Sequence, residues 1–142
     1  MSESISITPF TSPCRGEAKV PGSKSITNRA LLLAALSNRK VTLDGALFSD
    51  DVEIMVEALT SLGFTVNTDK QTARITVKGE SGRIPNQSGD LFVGNAGTVA
   101  RFLTAALCLR WGGKYRLDGT EAMRERPMQG LIDSLKQLGA RF

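Results

Sequence analysis

The 142-residue sequence contains no histidine and only two cysteines, Cys14 and Cys108. Without histidine there is no Ser–His triad, no Cys–His pair and no supply of the commonest zinc ligand. Two cysteines this far apart make neither a metal cluster nor a disulfide framework, and reduced thiols in a cytoplasmic protein are the expectation. Aromatic residues are 6% of the chain and are not interleaved with the basic ones. The stacking platforms of a single-strand nucleic-acid groove are therefore missing. The longest apolar runs, Ala30–Leu36 and Ala105–Leu109, fall far short of the ~20 residues a bilayer crossing needs. The opening MSESISITPF has neither a basic region nor a hydrophobic stretch, so neither a secretory signal nor an Arg-rich transit peptide is expected there.

What the chain does have is the profile of a soluble globular domain, 41% hydrophobic and 23% charged. Its net charge of +4 is unevenly spread. Residues 1–40 carry six Lys/Arg against two acids, residues 41–80 three against seven, and residues 81–142 nine against five. No Lys/Arg run marks a nucleic-acid footprint. Several of the cations sit beside glycines, which suits a small polyanion better than a nucleic acid or a membrane.

The chain repeats itself. Val52, Met55, Val56, Leu59 and Leu62 fall at the spacing of an amphipathic helix, and Met128, Leu131, Ile132, Leu135 and Leu138 repeat it 76 residues on. Each stripe ends in Leu-Gly, with glycine where a C-terminal cap belongs. The first helix is expected to open at Asp50 with Glu53 as a capping pair, the second at Pro127. A second match pairs Gly22–Arg29 before ALLLAALS with Gly94–Arg101 before FLTAALCL, two glycine turns that lead into helices apolar enough to be buried. Strands are expected at Glu17–Val20, Lys40–Leu43, FTVNT after Gly63, TARITVK, Leu91–Val93 and Lys114–Leu117. One unit then reads βαβαββ, about residues 17–79. A second, about residues 90–142, ends where the first has its hairpin, so an N-terminal piece of a longer protein is expected.

Three stretches can carry chemistry. Pro21-Gly-Ser-Lys-Ser25 turns into a helix whose N-terminus is an anion site, with Lys24, Ser25 and Arg29 as cation and hydroxyl donors; an ordinary solvated loop is the alternative. The GxxxxGK[ST] spacing is absent, so nucleotide hydrolysis is not indicated. Gly94-Asn-Ala-Gly97-Thr98 has the same logic, with Gly97 allowing close backbone approach and Asn95 and Thr98 able to donate; a tight strand-to-helix turn is the alternative. Arg101 either snorkels outward or lines a polar cleft. Arg124 and Arg126 precede a helix whose dipole disfavours cations. Either Glu121 and Glu125 neutralise them, or an arginine and the helix end hold an anion together. Asp50-Asp51 reads as a helix cap, and no metal site is indicated.

Taken together, PGSKSITNRALLLAAL, SDDVEIMVEALTSLG, LFVGNAGTVARFLTAAL and LDGTEAMRERPMQGLIDSLKQLGA resemble 5-enolpyruvylshikimate-3-phosphate synthase, from about Pro21 to the C-terminus. The resemblance implies an α/β fold of repeated βαβαββ units of the enolpyruvyl transferase (inside-out α/β barrel) type, incomplete here. Residues 1–20 would pack with the other, C-terminal domain, and 21–142 would be a partial transferase domain. The implied reaction moves the enolpyruvyl group of phosphoenolpyruvate to the 5-hydroxyl of shikimate 3-phosphate and releases phosphate, without metal or cofactor. Carried over, Lys24 is catalytic and touches both substrates, Ser25 and Arg29 hold shikimate 3-phosphate, and Asn95, Gly97 and Arg126 join Lys24 at phosphoenolpyruvate. The family's catalytic Asp and further Lys/Arg ligands belong to the missing C-terminal part, so this chain alone is expected to be inactive. Phe102 departs from the family's usual Pro or Leu. Gly97→Ala in a complete enzyme is expected to weaken binding of phosphoenolpyruvate and of glyphosate, the family's inhibitor. Two alternatives stay open: a non-catalytic anion-binding fragment or split half, and the sister transferase acting on UDP-N-acetylglucosamine. Against the latter stand PGSKS and NAGT; that family commonly uses a cysteine on a mobile loop, whereas Cys108 here falls in a buried helix pattern.

Overall fold

The computed structural model describes residues 4–142. Its elements follow in the order α1 (Lys24–Leu36), β1 (Lys40–Asp44), α2 (Asp50–Ser61), β2 (Val66–Asp69), β3 (Arg74–Lys78), β4 (Ser88–Phe92), α3 (Gly97–Leu107), β5 (Lys114–Asp118), α4 (Glu121–Arg124) and α5 (Gln129–Gln137). β1, β3 and β2 form an antiparallel sheet in that order, with Lys40 opposite Lys78 and Val66 opposite Val77. β4 and β5 pair in parallel, Ser88 beside Lys114 and Phe92 beside Asp118, with α3 as the crossover. A parallel pair requires such a crossover. The helices α1, α2 and α3 touch one another; the larger sheet packs on α1 and α2, the smaller on α2 and α3.

The stripe read from the sequence builds the centre of this core. Val52, Met55 and Leu59 of α2 and its C-cap Leu62 are buried with Leu31 and Ala35 of α1, Ile75 and Val77 of β3, and Val99 and Leu103 of α3. The strand alternation is visible in β3, where Ile75 and Val77 face inward and Arg74 and Lys78 outward. Gly63 and Gly139 take φ of +90° and +96°, the left-handed cap positions expected after the two Leu-Gly ends.

Several sequence expectations give way. Glu17–Val20 is not a strand: the segment is exposed and pairs with nothing among the described residues. A strand exists only through its ladder, and residues 17–20 have no neighbour to bond. The first repeat therefore lacks the leading strand of a βαβαββ unit. Ser49, not Asp50, is the N-cap of α2, so Asp50, Asp51 and Glu53 lie within its first turn. Pro127 precedes rather than opens the last helix, which begins at Gln129. A short helix, α4, intervenes, capped by the Thr120 hydroxyl accepting from the Met123 N–H at 3.3 Å. Apolar composition also misled about α1: Ile26 and Leu33 are exposed. Cys108 is exposed, not buried. The stripe of α5 is only partly covered: Leu131, Ile132 and Leu135 are half-buried, no residue of that helix is fully buried, and its C-cap Leu138 is 84% exposed. It borders an open groove of ≈ 1000 Å³ that Trp111, Tyr115, Leu117, Met128 and Ile132 also line.

Asp118, at the end of β5, fixes the passage toward α4. Its carboxylate accepts from Arg124 Nε at 2.8 Å and Nη2 at 3.0 Å, and from the Gly119 N–H at 2.8 Å. These donors, the Arg124 hydrogen bonds foremost, lower its pKa to about 2. A carboxylate lowered on folding stabilises the native state above its unfolded pKa, and that contribution fades as pH falls through about 2. Asp118→Asn is thus expected to lower the urea midpoint at neutral pH. The gap from wild type should narrow as the pH drops from about 4 toward about 2. A gap constant across that range would contradict the assignment.

Candidate functional site

The first turns of α1, α2 and α3 contribute to a common cleft, and a glycine turn leads into both α1 and α3. At α1, a Cβ on Gly22 would strike the backbone of Gly45 and Leu47, so only glycine lets the turn lie against the loop after β1. The Leu47 N–H donates to the Thr27 hydroxyl at 3.2 Å and holds that loop in place. At α3, Gly94 takes φ of +53°, and its carbonyl accepts from the Thr120 N–H at 2.9 Å. That bond ties the α3 turn to the start of α4. Neither α1 nor α3 carries an acidic residue in its first turn. The N-cap of α3 is Ala96, which has no side chain to cap it. The partial positive charge of that end is left for an anion.

The cleft has a volume of ≈ 570 Å³ and polar walls: Lys24 from α1, Asp50, Asp51 and Ile54 from α2, Asn95 to Thr98 and Arg101 from the α3 turn, and Arg126 from beyond α4. Four of the six sequence candidates, Lys24, Asn95, Gly97 and Arg126, therefore meet in one place. Ser25 and Arg29 do not line it. Both are exposed, and the Arg29 guanidinium donates to the Ser25 carbonyl at 2.9 Å while lying 5.2 Å over the Phe102 ring. The position where the sequence departs from the family habit thus supports a candidate ligand arginine.

Asp51 and Arg101 are the residues that sequence reasoning missed or left undecided. Asp51 ion-pairs with Lys24 at 3.3 Å, so the lysine is held in the cleft by a carboxylate from the next helix. The acidic first turn of α2 was the only signal, and it read equally as capping. The two arginines before α5 divide their roles. Arg124 pairs with Asp118, not with Glu121 or Glu125. Arg126 pairs with no carboxylate among the described residues. Its guanidinium reaches over Gly97, where an added Cβ would stand 2.5 Å from its Nη1.

Gly97→Ala tests this approach. The groups a methyl would meet are the mobile ends of Arg126 and Arg101, so they move and the fold survives. Gly97 is the first residue of α3, so alanine brings at most part of the about 1 kcal/mol it is worth in a helix interior. The melting temperature should hold or rise while phosphate affinity, read by amide shifts, drops severalfold. Loss of stability with unchanged affinity would contradict this picture.

Comparison with known proteins identifies the family. The sequence profile of EPSP synthase (3-phosphoshikimate 1-carboxyvinyltransferase) matches residues 10–142. The chain belongs to this family. It is 53% identical over 137 residues to the 3-phosphoshikimate 1-carboxyvinyltransferase of Opitutus terrae, a match that covers 96% of this chain and 32% of the relative. The Trichormus variabilis enzyme of the same name is 46% identical over 140 residues, 99% of this chain and 33% of the relative. In structure the chain is similar to EPSP synthase from Acinetobacter baumannii, with a TM-score of 0.76 at 23% identity over 89% of this chain and 28% of that one. That likeness bears on the fold, an incomplete α/β piece of the EPSP synthase type. The chain spans about a third of the length of the relatives it matches.

Proposed function

We propose that this chain supplies one wall of the active site of a 3-phosphoshikimate 1-carboxyvinyltransferase. That enzyme would join the enolpyruvyl group of phosphoenolpyruvate to the 5-hydroxyl of shikimate 3-phosphate and release phosphate, in aromatic amino-acid biosynthesis. The observation that carries the reading is the convergence of Lys24, Arg101 and Arg126 on the uncapped N-terminus of α3. Both substrates are polyanions, and a cleft with three cations, the uncapped end of α3 and two carboxylates, of which Asp51 is engaged by Lys24, suits them. In this reading Lys24 is the catalytic residue of this wall, held by Asp51 until a substrate anion competes for it. Asn95, Gly97 and Arg126 receive phosphoenolpyruvate. Ser25 and Arg29, at the rim, hold shikimate 3-phosphate with Lys24.

The rest of the site belongs to sequence beyond this third of the relatives. Residues 1–20, of which 1–3 lie outside the described residues, form a segment that packs with that remainder, a role suited to the exposed Ile5, Ile7, Phe10 and Val20. Residues 21–142 are a partial transferase domain, and the partly covered stripe of α5 fits a second unit without its hairpin. The protein acts in the cytoplasm in this reading; no described helix is long and apolar enough to cross a membrane.

The test is complementation. The chain is mixed with the Opitutus terrae relative lacking its matching first third, and phosphate release from the two substrates is followed. Activity that appears only on mixing, and is lost with Lys24→Met, is expected. A stable complex without phosphate release would contradict the proposal.

A further inference from the structure

We infer that Arg101 is a positioning residue of the anion cleft, bracing the segment that carries Arg126 against the first turn of α3; this rests on the anion-cleft reading above. Arg101 lies one turn along α3 from Gly97. Its Nη2 donates to the Pro127 carbonyl at 3.1 Å, and its Nη1 points to the Gly97 carbonyl at 3.5 Å. One planar guanidinium therefore spans the gap between the glycine turn and the peptide that follows Arg126.

The segment needs such a brace. Arg126 closes α4 through its N–H to the Met123 carbonyl at 3.1 Å, and regular bonding resumes only where the Ile132 N–H reaches the Met128 carbonyl. Between them Pro127 has no N–H to give. Among the described residues no backbone N–H takes the Pro127 carbonyl, so the Arg101 guanidinium is its donor. The division of labour also resolves a like-charge crowding. The Arg101 and Arg126 guanidiniums both reach the space over Gly97, at 3.3 and 2.5 Å from a Cβ there, and neither has a carboxylate partner among the described residues. Arg101 turns its donors on backbone carbonyls and leaves those of Arg126 to the ligand. An ammonium cannot do this, because a lysine presents a point charge rather than a planar fork.

The test uses the 142-residue chain, ¹⁵N-labelled, with Arg101→Lys and Arg101→Met beside wild type. Without ligand, ¹⁵N relaxation at Arg126 Nε and at the backbone amides of Glu125, Arg126 and Met128 reads the brace itself. Both variants should show increased ps–ns motion there, the Arg126 order parameter falling below about 0.6. Inorganic phosphate is then titrated at constant ionic strength. Its affinity should fall about fivefold in both variants, the worth of one net hydrogen bond, while shifts at Lys24 persist. If Arg101→Lys leaves both motion and affinity unchanged, the inference is overturned. It is equally overturned if lysine preserves affinity and only methionine loses it, since Arg101 would then act by charge. If Arg101→Met does not fold, Arg101→Lys decides alone. Failure of the anion-cleft reading looks different: phosphate would then cause no shifts at Gly97 or Arg126 in wild type, with the motional comparison still deciding the brace.

Discussion

Arg126→Ala should lower the affinity of the chain for phosphate by about 10- to 150-fold, the range for losing a charged hydrogen-bonding partner worth about 1.5–3 kcal/mol. The size follows from how little else could replace it. Arg126 has no carboxylate partner among the described residues, its guanidinium overhangs the bare backbone of Gly97, and the adjacent helix end has no side-chain cap. Of the other cations of the cleft, Lys24 is paired with Asp51 and Arg101 is turned on the Pro127 and Gly97 carbonyls. Because Arg126 is exposed, its removal should leave stability within about 0.5 kcal/mol of wild type. Chemical-shift titration with inorganic phosphate, alongside thermal unfolding, measures both. An affinity within twofold of wild type would mean that the cleft is not organised around this arginine.

The second large effect contrasts the two repeats. Leu62 and Leu138 occupy equivalent places, 76 residues apart at the ends of matching stripes. Leu62 is 1% exposed and Leu138 84%. Leu62→Ala should cost about 2–5 kcal/mol through lost burial and a residual cavity. That is a large share of the about 5–15 kcal/mol that holds a typical domain. Leu138→Ala should change stability by no more than about 0.5 kcal/mol. Urea unfolding of the two variants makes the comparison. Equal losses would mean that the α5 stripe is fully covered in solution, contrary to the fold described.

The contrast also marks what the sequence could disclose. Periodicity located α2 and the apolar face of α5 with equal force, because both obey the same spacing. It could not tell how far each would be covered. For the same reason Glu17–Val20 read as a strand, since local pattern specifies willingness to pair but not the presence of a partner. The site was more legible. Lys24, Asn95, Gly97 and Arg126 were identified from glycine turns, helix starts and resemblance, and they meet in the cleft. Asp51 was hidden because an acid in a first helical turn has a sufficient local reason to be there. Arg101 was ambiguous because its partner is a backbone carbonyl 26 residues away, which leaves no trace in side-chain identity.

The most direct test of the central claim is an amide-resolved NMR titration of the 142-residue chain with shikimate 3-phosphate. The account predicts a dispersed spectrum in which shifts cluster at Lys24, Ser25 and Arg29, the rim of a preformed half-site. A dispersed spectrum with no shifts there at millimolar ligand would contradict it, because the wall would then be folded and yet not bind the substrate assigned to it.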